Sequence, residues 1–232
     1  MLADPATAPH DGGVLVIDDT GDRKDGRHTA YAGRQYLGSR GKVEPGVVAV
    51  TSLWADERVY FPLHVRPYTP AERLPAGRRD PAFRTKPQLA VELVDAALAA
   101  GVSFRAVVAD CAYGDSEAFF DALGQAELPY VLALKPSRGT YAPADQAHTP
   151  LEAARAVPWD GPDAPGGWTA VERTFRDGHH EIWWAVEVRL FPASTDPAVR
   201  LVVATTDPAR LPPLTTWVLA AHLPRPGSPR AR

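Results

Sequence analysis

Cysteine is what this sequence has least of: one residue, Cys111, in a chain of 232. A single thiol excludes an intrachain disulfide framework and a multi-cysteine zinc site, and it suits a reducing compartment, so a cytoplasmic location is expected. Long hydrophobic runs are missing as well. The longest, such as Ala96–Val102 and Tyr130–Leu134, fall far short of the ~20 residues that span a bilayer as a helix, so no membrane partner is expected. The opening MLADPATAPHDGG has neither a basic start nor an apolar core, so no signal peptide is expected. Charge of one sign is scarce too. A net charge of −3 does not mark a nucleic-acid binder. What remains, 45% hydrophobic and 23% charged, is ordinary globular composition, enough to bury a core.

The charge is unevenly spread. Between Asp22 and Lys42 stand six bases (Arg23, Lys24, Arg27, Arg34, Arg40, Lys42) against two acids. A second basic cluster holds Arg73, Arg78, Arg79, Arg84 and Lys86. Residues 143–200 carry nine acids against five bases. Phosphates respond to local field, so a basic front and an acidic back can orient a polyanion. Solvated loops would give the same counts.

Patterning predicts a mixed α/β chain. Val14–Ile17 reads as a buried strand ending in a polar turn, Asp18–Gly21, with 22–46 a long loop or irregular hairpin. Val47–Trp54 and Arg58–Val65 read as an antiparallel pair around Ala55–Glu57, and Pro67–Lys86 as a surface excursion. Gln88–Ala100 is the clearest helix, stopped by Gly101. Phe104–Ala109, Ser116–Gln125 and Tyr130–Leu134 follow as strand, helix and strand. Strands without a polar face call for a sheet covered on both sides. Beyond the proline-rich 136–163, Trp168–Phe175, Glu181–Phe191 and Val199–Thr205 read as an antiparallel meander, with Arg176-Asp177-Gly178 as a hairpin turn. The tail LPRPGSPRAR reads as a linker.

Two of these strands run into carboxylates: Val14–Ile17 into Asp18 and Asp19, and Phe104–Ala109 into Asp110. In α/β sheets, sites lie beyond the carboxyl ends of neighbouring strands. Carboxylates brought close repel, and a bound divalent cation relieves the repulsion. Two such cations can activate water and stabilise the leaving oxygen in phosphodiester cleavage. An aspartate after a strand also caps helices and makes Asx-turns, so a structural role stays open for each. A phosphatase with an aspartyl nucleophile needs two aspartates separated by one residue, and here they are adjacent. Cys111 reads as a small packing residue, and His179-His180 lacks further ligands in zinc spacing.

The string VLVIDDTGDRKDGRHTAYAGRQYLGSRGKV resembles the opening catalytic segment of IS701-type transposases, within the IS4-like DDE group. FRTKPQLAVELVDAALAAGVSFRAVVADCAYGDSEAFFDAL, LPYVLALKP and LVVATTDPARLPPLTTWVLAAHLPRPGSPRA resemble the same family in the same order. The resemblance implies an RNase H-like mixed sheet with flanking helices, acting on transposon-end DNA with Mg²⁺ or Mn²⁺. It places the family's first aspartate on the Asp18-Asp19 pair, with Asp19 favoured because Asp19-Thr20 keeps an Asp-Thr step. The second falls on Asp110, and Thr20 and Tyr113 are further candidates for shaping the site. The implied layout is a disordered stub over 1–13, a catalytic core over 14–135, a β-rich insertion over 136–205 and a linker over 206–232. The family's third acid lies on a helix with a Tyr/Arg/Trp–Glu–Lys pattern. None of Glu117, Glu152, Glu172, Glu181 and Glu187 stands in that pattern, so a transposase truncated at both ends is expected. DNA is the expected partner, through the basic residues from Arg23 to Lys42, with an intact transposase or a second copy as further partners. A non-catalytic DNA-binding remnant and an unrelated metal-dependent phosphoesterase are the rival readings.

Overall fold

The structure, a computed structural model, describes residues 8–26, 28–136, 139, 145–175, 177–189, 199–211 and 216–222. The chain divides into two compact units, Met1–Val108 with Ser116–Ala126, and Ala109–Asp115 with Glu127–Arg232. The fold class is mixed α/β, as expected.

The first unit is built on strand β3 (Lys42–Ala55), whose alternation buries Val48, Val50, Ser52 and Trp54 on one face. β1 (Val14–Arg23) lies antiparallel to it, from Val14 opposite Ala55 to Arg23 opposite Gly46. β2 (Gly33–Leu37) and β4 (Tyr60–Pro67) pair with successive stretches of β3. Asp56 turns the chain from β3 into β4, its carboxylate accepting the Arg58 and Val59 amides at 2.7 Å each. That is the expected turn at 55–57. On the far side of β1, the Arg105 amide donates to the Gly13 carbonyl and the Leu15 amide to the Ala106 carbonyl. The partners advance together, so the segment leading into β5 (Val107–Ala109) runs parallel to β1.

Helix α1 (Lys86–Ala99) buries Leu89, Ala90, Leu93, Val94 and Ala97 and packs on β3 and β4. Its start is set by a capping box: Thr85 accepts the Gln88 amide and Gln88 accepts the Thr85 amide. Its end is set by Gly101 at φ 68°, left-handed backbone that favours glycine. Helix α3 (Glu117–Gln125) packs against α1 through Phe119 and Leu123. Four antiparallel strands precede α1, one more (β2) than the three that the RNase H-like reading calls for, and the helix, parallel strand and helix that follow keep its order.

The second unit holds an antiparallel sheet in the order β6-β10-β9-β8-β7. These strands are β6 (Tyr130–Leu134), β7 (Thr169–Thr174), β8 (His180–Val188), β9 (Val199–Thr205) and β10 (Thr216–His222). Helix α4 (Pro150–Arg155), capped by Thr149 and Glu152, packs against β8 and β9. The one-turn helix α2 (Cys111–Gly114) lies on β6.

Several expectations need correcting. β1 does not end at Ile17 but continues to Arg23, because the whole of 14–23 finds hydrogen-bonding partners along β3. The expected loop over 22–46 contains β2 and the start of β3, where buried Gln35 donates to the Gly46 carbonyl at 2.8 Å. Residues 8–13 of the expected stub are placed: the His10 ring meets Trp54 edge-on at 4.9 Å, and its Nε2 lies 3.2 Å from Asp56. Residues 1–7 lie outside the described residues, as do Arg27, Arg176 and the tail 223–232. Within the expected linker, 216–222 form β10, because the apolar run there pairs with both β6 and β9. Among the described residues no helix is long and apolar enough to cross a membrane.

Candidate functional site

The extension of β1 changes how the two adjacent aspartates must be read. They sit in mid-strand, so they point to opposite faces. Asp19 follows Leu15 and Ile17 onto the face where β3 buries Val48, Val50 and Trp54, and it lies opposite Val50. Its side chain is 27% exposed. Asp18 takes the other, exposed face, where its Oδ1 accepts the Asp19 amide at 2.7 Å and its carbonyl accepts the Thr51 hydroxyl. Thr20 is exposed on the same face as Asp18.

Asp19 has a cation against it. Lys86, the first residue of α1, directs its ammonium onto Asp19 Oδ2. The two residues are 67 positions apart, and the pair exists only because α1 packs on the sheet that β1 belongs to. The ammonium also stands 6.0 Å from the centre of the Tyr68 ring. Sequence reasoning places Lys86 in a basic cluster and gives it no site role. A long-range pairing leaves no local signal, and a lysine before a proline at a helix start looks like any other.

Asp110 belongs to the second unit. It is the N-cap of α2, with Oδ1 accepting the Ala112 amide at 2.9 Å. Asn or Asp at such a position is worth ~1 kcal/mol over Ala, so part of the carboxylate's work is structural. The cap leaves Oδ2 without a partner among the described residues. Gly114 closes α2 onto β6, and a Cβ there would lie 2.0 Å from the Ala133 carbonyl oxygen. Tyr113 is 1% exposed, a core residue of this contact. Burial first, and then the charges of Asp110 and Asp115, push the Cys111 thiol up, away from the thiolate a nucleophile needs.

The basic candidates divide by partner. Arg23 pairs with Asp25 at 3.2 Å. Arg40 and Lys42 both reach Glu44, at 3.5 and 3.0 Å, and the Lys42 hydrogen bond foremost holds that carboxyl below its ordinary range. Lys24 and Arg34 are exposed and have no carboxylate partner among the described residues. Arg34 shares its exposed strand face with Tyr36. Among the second basic cluster, Arg84 pairs with Glu92, and Arg73 donates to the Ala32 carbonyl at 2.5 Å.

His179 lies on an exposed hairpin between Asp177 and Glu181, at 2.8 and 3.3 Å. Those two carboxylates, Asp177 first, raise its pKa above the ordinary imidazole value. No group of three metal-ligating side chains gathers among the described residues, this hairpin included.

The model of the DDE superfamily endonuclease family matches residues 1–189, which hold Asp18, Asp19, Lys86 and Asp110. A probable transposase for insertion sequence element IS701 from Microchaete diplosiphon is 33% identical over 212 residues, covering 91% of this chain. The chain spans 50% of that relative's length. Among solved structures, the NurA nuclease from Sulfolobus solfataricus is 9% identical. The match covers 94% of this chain and 69% of that one at a TM-score of 0.36, a likeness too slight to argue from.

Proposed function

The chain belongs to the DDE superfamily endonucleases, and from that membership we propose that it acts as a transposase, cutting DNA at the ends of an insertion sequence. Endonucleases of this superfamily generally use divalent metal ions. We assign Asp19 and Asp110 as carboxylate ligands of Mg²⁺ or Mn²⁺, and we leave Asp18 outside the site. The donors fit a hard cation, being carboxylate oxygens rather than thiolates. A divalent cation bound there would supply activation of the attacking water and stabilisation of the leaving oxygen.

The single observation that carries the reading is the Asp19 carboxylate: half-buried in mid-strand, within the stretch of chain that the family model covers, and already holding a cation, the Lys86 ammonium. A mid-strand position fixes its backbone through the β3 ladder, so the carboxylate is aimed before any ligand arrives. Asp110 is aimed in a different way, by its own cap hydrogen bond to Ala112. Asp18, on the opposite face, cannot share the position of Asp19.

Lys24 and Arg34 meet phosphates directly in this reading. Arg23 does so by exchanging its exposed partner Asp25, which costs little because such surface pairs are worth ~0–1 kcal/mol, while Arg40 and Lys42, themselves half-exposed, do so beside the more sheltered Glu44. Arg27 completes the expected basic set. A single free cysteine is compatible with the reducing cytoplasm in which we place this activity.

The test is a nicking assay on supercoiled DNA carrying the element ends, with Mn²⁺. This chain would be joined to the remaining half of its IS701 relative. Cleavage lost in both Asp19→Ala and Asp110→Asn supports the assignment, and cleavage that survives either change overturns it.

A further inference from the structure

Lys86 stands where electrostatics would not place it. It is the first residue of α1, and the amino end of a helix carries partial positive charge that favours anions. No acidic side chain lies in the first turn of α1 to offset the ammonium. The compensating charge comes from outside the helix, from Asp19 on β1. Both side chains are about a quarter exposed, 26% for Lys86 and 27% for Asp19, so the pair is open to solvent ions yet less screened than a surface pair.

We propose that Lys86 is the resident counter-cation of Asp19, holding that carboxylate in its ligand position until a divalent cation displaces the ammonium. The inference rests on the reading of Asp19 as a metal ligand. Its chemistry is an exchange of one cation for another at Oδ2, with no covalent step: the ion binds and the ammonium swings into water on its flexible four-carbon stem. A lysine suits the role. Its charge is compact and strongly hydrated, and it makes point contacts. An arginine would clasp the carboxylate with a planar fork and release it less readily. A neutral side chain would leave the carboxylate unopposed. The ion's affinity should therefore rank Lys86→Met above wild type and wild type above Lys86→Arg. A residue that only supported the helix would lower affinity in every variant.

The experiment titrates the 232-residue chain with Mn²⁺ alone, reading free Mn²⁺ by electron paramagnetic resonance. The proteins are wild type, Lys86→Met, Lys86→Gln, Lys86→Arg and Asp19→Asn. Lys86→Gln serves as a second neutral variant should Lys86→Met fold poorly, and circular dichroism establishes which variants are folded. The expected result is Mn²⁺ binding about tenfold tighter in the neutral variants, weaker in Lys86→Arg, and weakened in Asp19→Asn. Weakened binding in Asp19→Asn with unchanged or poorer binding in the neutral Lys86 variants overturns the inference and leaves Asp19 as a ligand. Unchanged binding in Asp19→Asn overturns both.

Discussion

Replacing Gly114 by alanine puts the packing beneath Asp110 to a direct test. The added Cβ would lie 2.0 Å from the Ala133 carbonyl oxygen, 3.0 Å from its carbonyl carbon and 3.2 Å from Leu132 Cβ. Two of the three atoms are β6 backbone, which cannot swing aside as a side chain would. The helix α2 must instead retreat by about 1 Å to restore ordinary contact. Overpacking of this kind costs about 1–3 kcal/mol, and at ~4–8 °C per kcal/mol for a unit of this size the melting midpoint falls by roughly 5–20 °C. Asp110 caps the displaced helix, so its carboxylate moves too and Mn²⁺ affinity drops with stability. The control is Gly124→Ala in α3, where the added Cβ meets nothing within 4 Å. There the gain in helix propensity of ~0.5–1 kcal/mol should hold or raise the midpoint. Thermal denaturation followed by circular dichroism, with Mn²⁺ titration of each protein, reads both effects. A Gly114→Ala protein that melts with wild type and binds Mn²⁺ as well would refute the close packing of α2 on β6.

Two further outcomes are expected. Ser52, 1% exposed opposite Ile17, buries a hydroxyl with no hydrogen-bond partner among the described residues. Ser52→Ala should therefore raise stability by ~1 kcal/mol in urea denaturation, and a loss of stability would show that the hydroxyl is satisfied. His179 should titrate above the ordinary imidazole value in an NMR pH series, because Asp177 and then Glu181 favour its charged form. A raised folded value means its contribution is present below the unfolded imidazole value and fades as pH rises through the folded one. Asp177→Asn should bring the titration down toward the ordinary range, and an unmoved titration would refute the pairing.

How legible these features were in the sequence depends on the range of the forces behind them. Gln88–Ala100 was readable because a helical apolar stripe is local. Its true start at Lys86, two residues earlier, comes from Thr85 and Gln88 capping each other across a proline. The polar half of β1, from Asp18 to Arg23, carries no strand-like composition and is held by its ladder to β3, a partner some thirty residues away. β2 is hidden for a similar reason, since a glycine- and charge-rich stretch becomes a strand once Gln35 is buried against Gly46. β10 lies among prolines that read as a linker, although Thr216 meets Thr205 through a buried hydroxyl pair at 3.3 Å. The candidate ligands Asp19 and Asp110 were visible because each follows an apolar, strand-like run, and from family resemblance. Which of Asp18 and Asp19 faces inward was not, because that parity depends on β1 continuing through both. The Lys86 partner depended on the packing of α1 and could not be seen at all.

The most direct test of the central claim, that Asp19 and Asp110 are metal ligands, is where Mn²⁺ settles on the chain. Substoichiometric Mn²⁺ added to the isotopically labelled protein broadens the amide resonances nearest the bound ion. The account predicts selective loss of the amides around Asp19 and around Asp110, with Asp19→Asn and Asp110→Asn each diminishing both. Broadening centred instead on the Asp177–Glu181 hairpin, and unchanged in both variants, would contradict it.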